Sequence, residues 1–329
     1  MGGEGSLRLH PWALSVEGLL LGDEEGEDEG VTAERRIDPQ VEVGIEAWGP
    51  LEPRVESPLE GVLFVDGVRR VDAGVVQQEG GHLYWGLFGS YGVGAVECRH
   101  RQARVVVEHV ERRLVLGGGT VPDLLRIPCG SSVLEYRGVL SRNRQQEVRG
   151  ELQRLMRDKE GALISSLGDG LLLMVDGPLT FQVPRDMPVL GYAKSHYRRY
   201  LEDPKLVQVV LDLPPGTRTP LFLIPREGGH DLLSCYARVA PSPIPRHPLV
   251  GIVRLEMWAA MGLEAAVRLA DLATALIPRF ASSAQWDPRA PVNLHPVAAL
   301  EERLRHRLGD HGWVRRGIEQ FLFRGGEES

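Results

Sequence analysis

Between residues 61 and 116 the chain carries three long apolar stretches in which polar residues or glycine recur: "GVLFVDGVRRVDAGVV" (61–76), "GHLYWGLFGSYGVGAVECRH" (81–100) and "ARVVVEHVERRLVL" (103–116). Rich in Val, Leu and aromatic residues and bounded by glycine or charged turns, they predict a meander of strands. The period then changes. In "RNRQQEVRGELQRLMRDKEGALISSLG" (142–168), Val148, Leu152, Leu155, Leu163 and Leu167 recur at helical spacing among Arg, Gln and Glu, with Gly168 as a stop, which predicts an amphipathic helix. "LLLMV" (171–175) is apolar at every position, as a strand covered on both faces would be. Further on, the pattern predicts a short helix over 191–203, strands over 206–213, 232–240 and 249–258, a helix over 263–279 and a closing helix over 297–309. Residues 117–132 read as a loop. Residues 1–59 read as peripheral, with one strand at 41–48 and a proline-punctuated connector after it.

Strands, then a helix, then a buried strand, then helices mixed with strands is the order of a ribonuclease H-like fold. The expected class is therefore α/β: a mixed sheet flanked by helices over residues 60–329, preceded by an N-terminal extension over 1–59. Two apolar runs end in Asp-Gly, at Asp66 and Asp176. After a strand, Asp-Gly is a common turn signal. Two such sites in the right order around a helix suggest more: rigid central strands that present carboxylates, with glycine turning the chain without crowding a ligand.

Composition narrows the classes. Of 329 residues, 43% are hydrophobic and 25% charged, as in ordinary globular domains. No apolar run approaches the ~18 residues of a spanning helix, and the first thirty residues run into acid, unlike a secretion signal, so a cytoplasmic protein with no membrane partner is expected. Three cysteines without a C-x-x-C pair argue against a disulfide framework or a zinc ribbon. The net charge of −7 is unevenly placed, with six acids in residues 23–29, so a local basic groove is compatible with it. Only Lys159, Lys194 and Lys205 among the 38 basic residues are lysines. Guanidinium groups suit phosphate, although genome composition gives the same bias. The P-loop spacing, the G-x-G-x-x-G order and the G-x-S-x-G elbow are all missing. Cys98 reads as a small strand residue.

The remaining chemistry is carboxylate chemistry. Mg²⁺ and Mn²⁺ take oxygen ligands, and a pair of ions roughly 3.5–4 Å apart can stabilise both the attacking and the leaving oxygen of a phosphodiester. A third acid is then expected beside Asp66 and Asp176. Glu151 borders the packed face of the predicted helix and is the first choice, with Glu147 in reserve; Glu97 is a candidate fourth ligand. Asp158 and Glu160, in "RDKEG", read as solvated charge.

"FVDGVRR" (64–70), the helix leading into "LLLMVDGPL" (171–179), "LGYAKSHYRRYL" (190–201) and "PRAPVNLHPVAALEERLRHRLGD" (288–310) together resemble the NurA nucleases, in matching order over about residues 60–310. The resemblance implies a metal-dependent deoxyribonuclease with single-strand endonuclease and 5′-to-3′ exonuclease activity. It also implies a homodimer that works with a HerA-type hexameric ATPase in DNA end resection and double-strand break repair. By position, Asp66, Asp176 and a helical glutamate, here Glu151, would hold two Mn²⁺ or Mg²⁺ ions. Arg69, Arg70, Lys194 and Arg198 would contact the DNA. His295 stands nearest to the family's late histidine, several residues early, and is open as a ligand, a phosphate contact or a loop residue. The alternative is a degenerate adaptor that docks on a translocase and regulates it.

Overall fold

The computed structural model describes residues 6–9, 37–55, 61–142, 148–167, 170–194, 200–241, 249–283, 285, 287 and 289–327. Among them are eleven strands: β1 (Ser6–Leu9), β2 (Gly61–Glu79), β3 (His82–Arg99), β4 (Gln102–Leu116), β5 (Leu124–Cys129), β6 (Ser132–Leu140), β7 (Leu172–Asp176), β8 (Val189–Ala193), β9 (Phe222–Ile224), β10 (Leu232–Arg238) and β11 (Ile252–Trp258). The α-helices are α1 (Val148–Ser166), α2 (Pro204–Leu211), α3 (Leu263–Leu276), α4 (His295–Arg307) and α5 (His311–Glu327). All strands join one mixed sheet in the order β5-β6-β4-β3-β2-β7-β8-β11-β10-β9, with β1 also paired to β2. Within it, β4-β3-β2-β7-β8 is the ribonuclease H-like core: an antiparallel meander followed by β7 parallel to β2 and β8 parallel to β7.

The two-residue period of the strands sorts the core into two layers. Leu63, Val65, Leu173 and Val175 face α1, packing with Leu152, Met156, Leu163 and Ile164. Val62, Phe64, Leu172 and Met174 face the other way, against Ala266, Leu269 and Ala273 of α3 and Val297, Leu300 and Leu304 of α4. Each fully buried aliphatic side chain of this kind contributes about 1.5–3 kcal/mol. Helix α4 comes close to the sheet because β3 carries glycine beneath it. A Cβ at Gly94 would stand 3.0 Å from Leu300 Cδ1 and 2.9 Å from the Val107 carbonyl oxygen. Gly94 is the cross-strand partner of Asp66, so the same glycine sets how near α4 lies to that aspartate.

Several segments depart from the sequence reading. The predicted strand over 206–213 is helix α2, because Asp203 caps it, accepting from Lys205 N at 2.8 Å, and Pro204 opens it. The cap and the proline are local signals that outweigh the β-branched composition. The expected helix at 191–203 begins as strand β8, and residues 195–199 lie outside the described residues. Within the expected loop and the stretch after it, β5 and β6 bury Ile127 and Tyr136. The expected strand at 41–48 holds only a 3-10 turn, Ile45–Ala47. The helix expected over 297–309 is α4, and a further helix that was not expected, α5, follows it, with Val314 and Ile318 buried among Phe88, Leu114 and Tyr136. Residues 37–55 cover the β9 edge: Asp38 bridges Leu223, Leu51 bridges Arg218, and Trp48 is buried.

Candidate metal centre

Strands β2 and β7 run parallel with Val62 opposite Leu172 and Val65 opposite Val175, an offset of 110 positions (172 − 62). Asp66 and Asp176 share that offset (176 − 66), so the two Asp-Gly sites stand side by side. Partners in a parallel pair project to one face, and here it is the face covered by α4. Glu301 of α4 completes the group: one ligand oxygen from each of Asp66, Asp176 and Glu301 lies within 4.8 Å of the other two. The three acids come from two central strands and a helix seated on them, with 235 positions between the first and the last (301 − 66).

The two Asp-Gly dipeptides do different work, and the first is no turn. Strand β2 continues past Gly67 to Glu79. A Cβ at Gly67 would overlap Glu160 Oε1 and lie 3.1 Å from Glu160 Cδ and 3.2 Å from Met156 Cγ. Glycine here lets Glu160 of α1 reach the strand from the opposite layer. Gly177 has φ 102° and ends β7, a conformation that disfavours a side chain.

The electrostatics follow from this crowding. Asp66 is 7% exposed, and its Oδ2 has no hydrogen-bond partner. Burial pushes its carboxyl well above the usual range, and Asp176, Glu301 and Glu160 push it further, against a smaller opposing effect of Lys194. Glu160 is part-buried, and its carboxyl is pushed up to about 7, by burial first and by Asp176, with Arg157 opposing. Lys194 Nζ donates to Asp176 Oδ2 at 2.6 Å and to Asn293 Oδ1 at 3.1 Å. Burial alone would lower the Lys194 pKa, but Asp176, with Asp66 and Glu301, raises it.

A divalent cation fits this donor set. Six-coordinate Mg²⁺ or Mn²⁺, with oxygens at ~2.1 Å, places neighbouring ligands ~3 Å and opposite ligands ~4.2 Å apart, so the trio would close on one ion with a small contraction. The orphaned Asp66 oxygen and the excess negative charge are what such an ion relieves.

The other expected site residues are placed as follows. Glu151 lies on α1, across the sheet from the Asp66 carboxylate, and its Oε1 accepts from Arg154 at 2.5 Å. It joins no such acid group among the described residues. Glu147 and Arg198 lie outside the described residues. Glu97 projects to the face opposite Asp66, three positions from Gly94 along β3, and pairs with Arg104 at 3.3 Å. His295 is exposed on the first turn of α4. It stands six residues before Glu301, ~9 Å along a helix axis. Arg69 donates to Gln153. Arg70 donates to Asp72 and to the carbonyl oxygens of Gly309 and Leu308, at 2.8, 2.7 and 3.1 Å, so it fastens the end of α4.

Glu160, expected as solvated charge, is instead part-buried against Gly67, and Glu301 was not among the expected ligands, although each has a signal in the sequence. Glu160 continues the inward row Leu152, Met156, and Glu301 lies between Val297 and Leu304 on the inward stripe of α4. A carboxylate at a helical position meant for an apolar side chain needs a reason.

No family model matches the chain, and no curated protein does. Among solved structures it is similar to the NurA nuclease from Sulfolobus solfataricus, at 11% identity over 80% of this chain and 86% of that one, with a TM-score of 0.43. It is also similar to Endonuclease V from Bacillus subtilis, at 11% identity over 78% of this chain and 87% of that one, with a TM-score of 0.35. Likenesses this distant carry no function to this chain. Among the described residues no helix is long and apolar enough to cross a membrane.

Proposed function

We propose that this protein is a metal-dependent deoxyribonuclease. The observation that carries the reading is the convergence of Asp66, Asp176 and Glu301, together with a buried Asp66 oxygen that has no hydrogen-bond partner. Asp66, Asp176 and Glu301 would hold Mn²⁺ or Mg²⁺, with Glu301 in the place that the sequence reading gave to Glu151. Bound there, such an ion supplies Lewis-acid stabilisation of phosphoryl charge and a more acidic water. Glu160, with its carboxyl near 7, is suited to hold or release a proton beside that site at neutral pH. Lys194 orients the Asp176 carboxylate. Arg305, 64% exposed and 3.5 Å from Glu301, would meet a phosphate beside that acid.

The finer reading rests on the sequence resemblance to NurA nucleases. It comprises single-strand endonuclease and 5′-to-3′ exonuclease action, a homodimer and a HerA-type ATPase partner in DNA end resection; a cytoplasmic location is proposed from the composition of the chain. The test is cleavage of an end-labelled DNA single strand by the full chain, with chelator and with Mn²⁺ or Mg²⁺, for wild type and Glu301→Gln. Cleavage that needs the cation and is lost in Glu301→Gln is expected. Equal cleavage in chelator would refute the proposal. The same strand labelled at either end reports polarity, and addition of a HerA-type ATPase reports the partnership.

A further inference from the structure

We propose that Lys194 is a built-in cation of the acid cluster, so that the site takes up one divalent ion and excludes a second. This inference rests on the metal-centre reading above and departs from the two-ion expectation. The Lys194 side chain is 7% exposed and its ammonium sits 2.6 Å from Asp176 Oδ2, so it is a resident of the cluster and not a surface charge leaning on it. It is also held from behind. Asn293, 4% exposed, accepts from Lys194 through Oδ1 at 3.1 Å and donates through Nδ2 to Asp287 Oδ2. Asp287 in turn accepts from Arg289 N at 2.8 Å, and the Asn293 carbonyl accepts from Ser282 N at 2.8 Å. Asn293 immediately precedes Leu294, the N-cap of α4, so the helix that carries Glu301 also fixes the partner of Lys194.

The charge count agrees with the geometry. Three carboxylates carry three negative charges, and one divalent ion with one ammonium balances them. A second divalent ion sharing Asp176 would face a fixed ammonium across a few ångströms of low-dielectric protein, where repulsion is poorly screened. Arg305 cannot take this part, because at 3.5 Å from Glu301 and 64% exposed its charge is screened by water. Asn293 is accordingly a positioning residue. It keeps the ammonium on Asp176.

The experiment counts ions, independently of turnover. Full-length protein stripped with chelator is titrated with Mn²⁺, and bound Mn²⁺ is counted by calorimetry and by electron paramagnetic resonance. Wild type and Lys194→Arg are expected to bind one Mn²⁺, and Lys194→Met two. Asn293→Ala is expected to shift from one bound Mn²⁺ to two within ~10-fold of the concentration that fills the first site, the scale of losing an outer-shell partner, a range over which wild type stays at one. Circular dichroism checks each fold. If Lys194→Met does not fold, the wild-type count and the Asn293→Ala shift decide. Two ions in wild type, one in folded Lys194→Met, or no shift in Asn293→Ala would overturn the proposal. Undiminished Mn²⁺ binding by Asp66→Asn, or none by wild type, would instead remove the metal centre on which it rests.

Discussion

Strand β2 buries two aspartates six positions apart (72 − 66), and their surroundings are opposite. Asp72, fully buried, accepts from Arg70 Nε and Tyr136 Oη, each at 2.8 Å, and from Ser90 Oγ. Through Arg70, which also reaches the carbonyl oxygens of Leu308 and Gly309, it ties the end of α4 to the sheet. Asp66 feels the like charge of Asp176 and Glu301 on its own face and of Glu160 from the opposite layer, with Lys194 as the basic group acting on it, and one of its oxygens has no donor. A carboxylate that serves only the fold is satisfied by the fold, as Asp72 is. One that is buried, orphaned and surrounded by like charge stores a penalty that a cation can release. One network holds α4 in place, and the other uses what α4 brings.

The sharpest way to break the comparison is to neutralise each aspartate in turn. Asp66→Asn is expected to reduce Mn²⁺-dependent cleavage by more than the ~100-fold typical of losing an outer-shell partner. At neutral pH, in chelator, the same variant should melt at or above the wild-type temperature, because a repelled charge has gone. Asp72→Asn should do the reverse. It leaves the Arg70 guanidinium and two hydroxyl groups poorly matched, at a cost of about 3 kcal/mol in urea unfolding, with cleavage per folded molecule reduced far less than in Asp66→Asn. If the two variants lost stability equally, Asp66 would be another structural acid.

The next effect is on pH dependence. Glu160, with its carboxyl pushed up to about 7, keeps a proton in the folded protein that it would lose near its ordinary value in the unfolded chain. Between about pH 4.5 and pH 7 the folded state therefore binds more protons, and stability from this group falls as pH rises. Asp66, raised as well, acts in the same direction. The lowered carboxyl of Glu111 acts in the opposite one, so the raw wild-type curve mixes both. The difference between wild type and Glu160→Gln isolates the effect. In chelator, the melting temperature of wild type minus that of Glu160→Gln should fall across this window, by the equivalent of a few kcal/mol at most, and Mn²⁺ should flatten the slope. A difference constant with pH would show that Glu160 is not held in the crowded site.

Much of the arrangement could be read from the chain. The shared spacing of the two Asp-Gly runs is the register offset of β2 and β7, so periodicity and order placed Asp66 and Asp176 on neighbouring central strands. The third acid could not be placed that way. Alternation along a strand tells which residues share a face, but not which helix covers it. Helix α1 covers the Val65 face and α4 the Phe64 face, so Glu151 lies in the layer away from Asp66. Its own neighbour Arg154 occupies it. Local chemistry outweighs composition where the two oppose: "DPKLVQVVL" reads as a strand by its valines and folds as α2 by its cap and proline. The β5–β6 hairpin was obscured by Gly117, Gly118 and Gly119 before it, and its apolar face is completed only by α5, about 180 positions later (Val314 against Tyr136).

The smallest effect tests why glycine follows Asp66. If Gly67 merely ended a strand, alanine there would be tolerated, since β2 continues in extended backbone and Gly67 is absent from the positive-φ residues. Its neighbours predict otherwise. A methyl group would overlap Glu160 Oε1 and press on Met156 Cγ, so Glu160 must move off the strand while α1 keeps its apolar contacts. Gly67→Ala is therefore expected to cost about 1 kcal/mol as mild overpacking and to carry the Glu160 carboxyl toward solvent. Its pH-dependent melting should then follow that of Glu160→Gln more closely than that of wild type. The double variant Gly67→Ala with Glu160→Gln completes a cycle. If alanine acts through Glu160, its effect on the pH slope disappears once glutamine is present. An undiminished effect in the double variant would mean that Gly67 serves the strand alone, and that the Asp-Gly pair in β2 carries no link between the aspartate and α1.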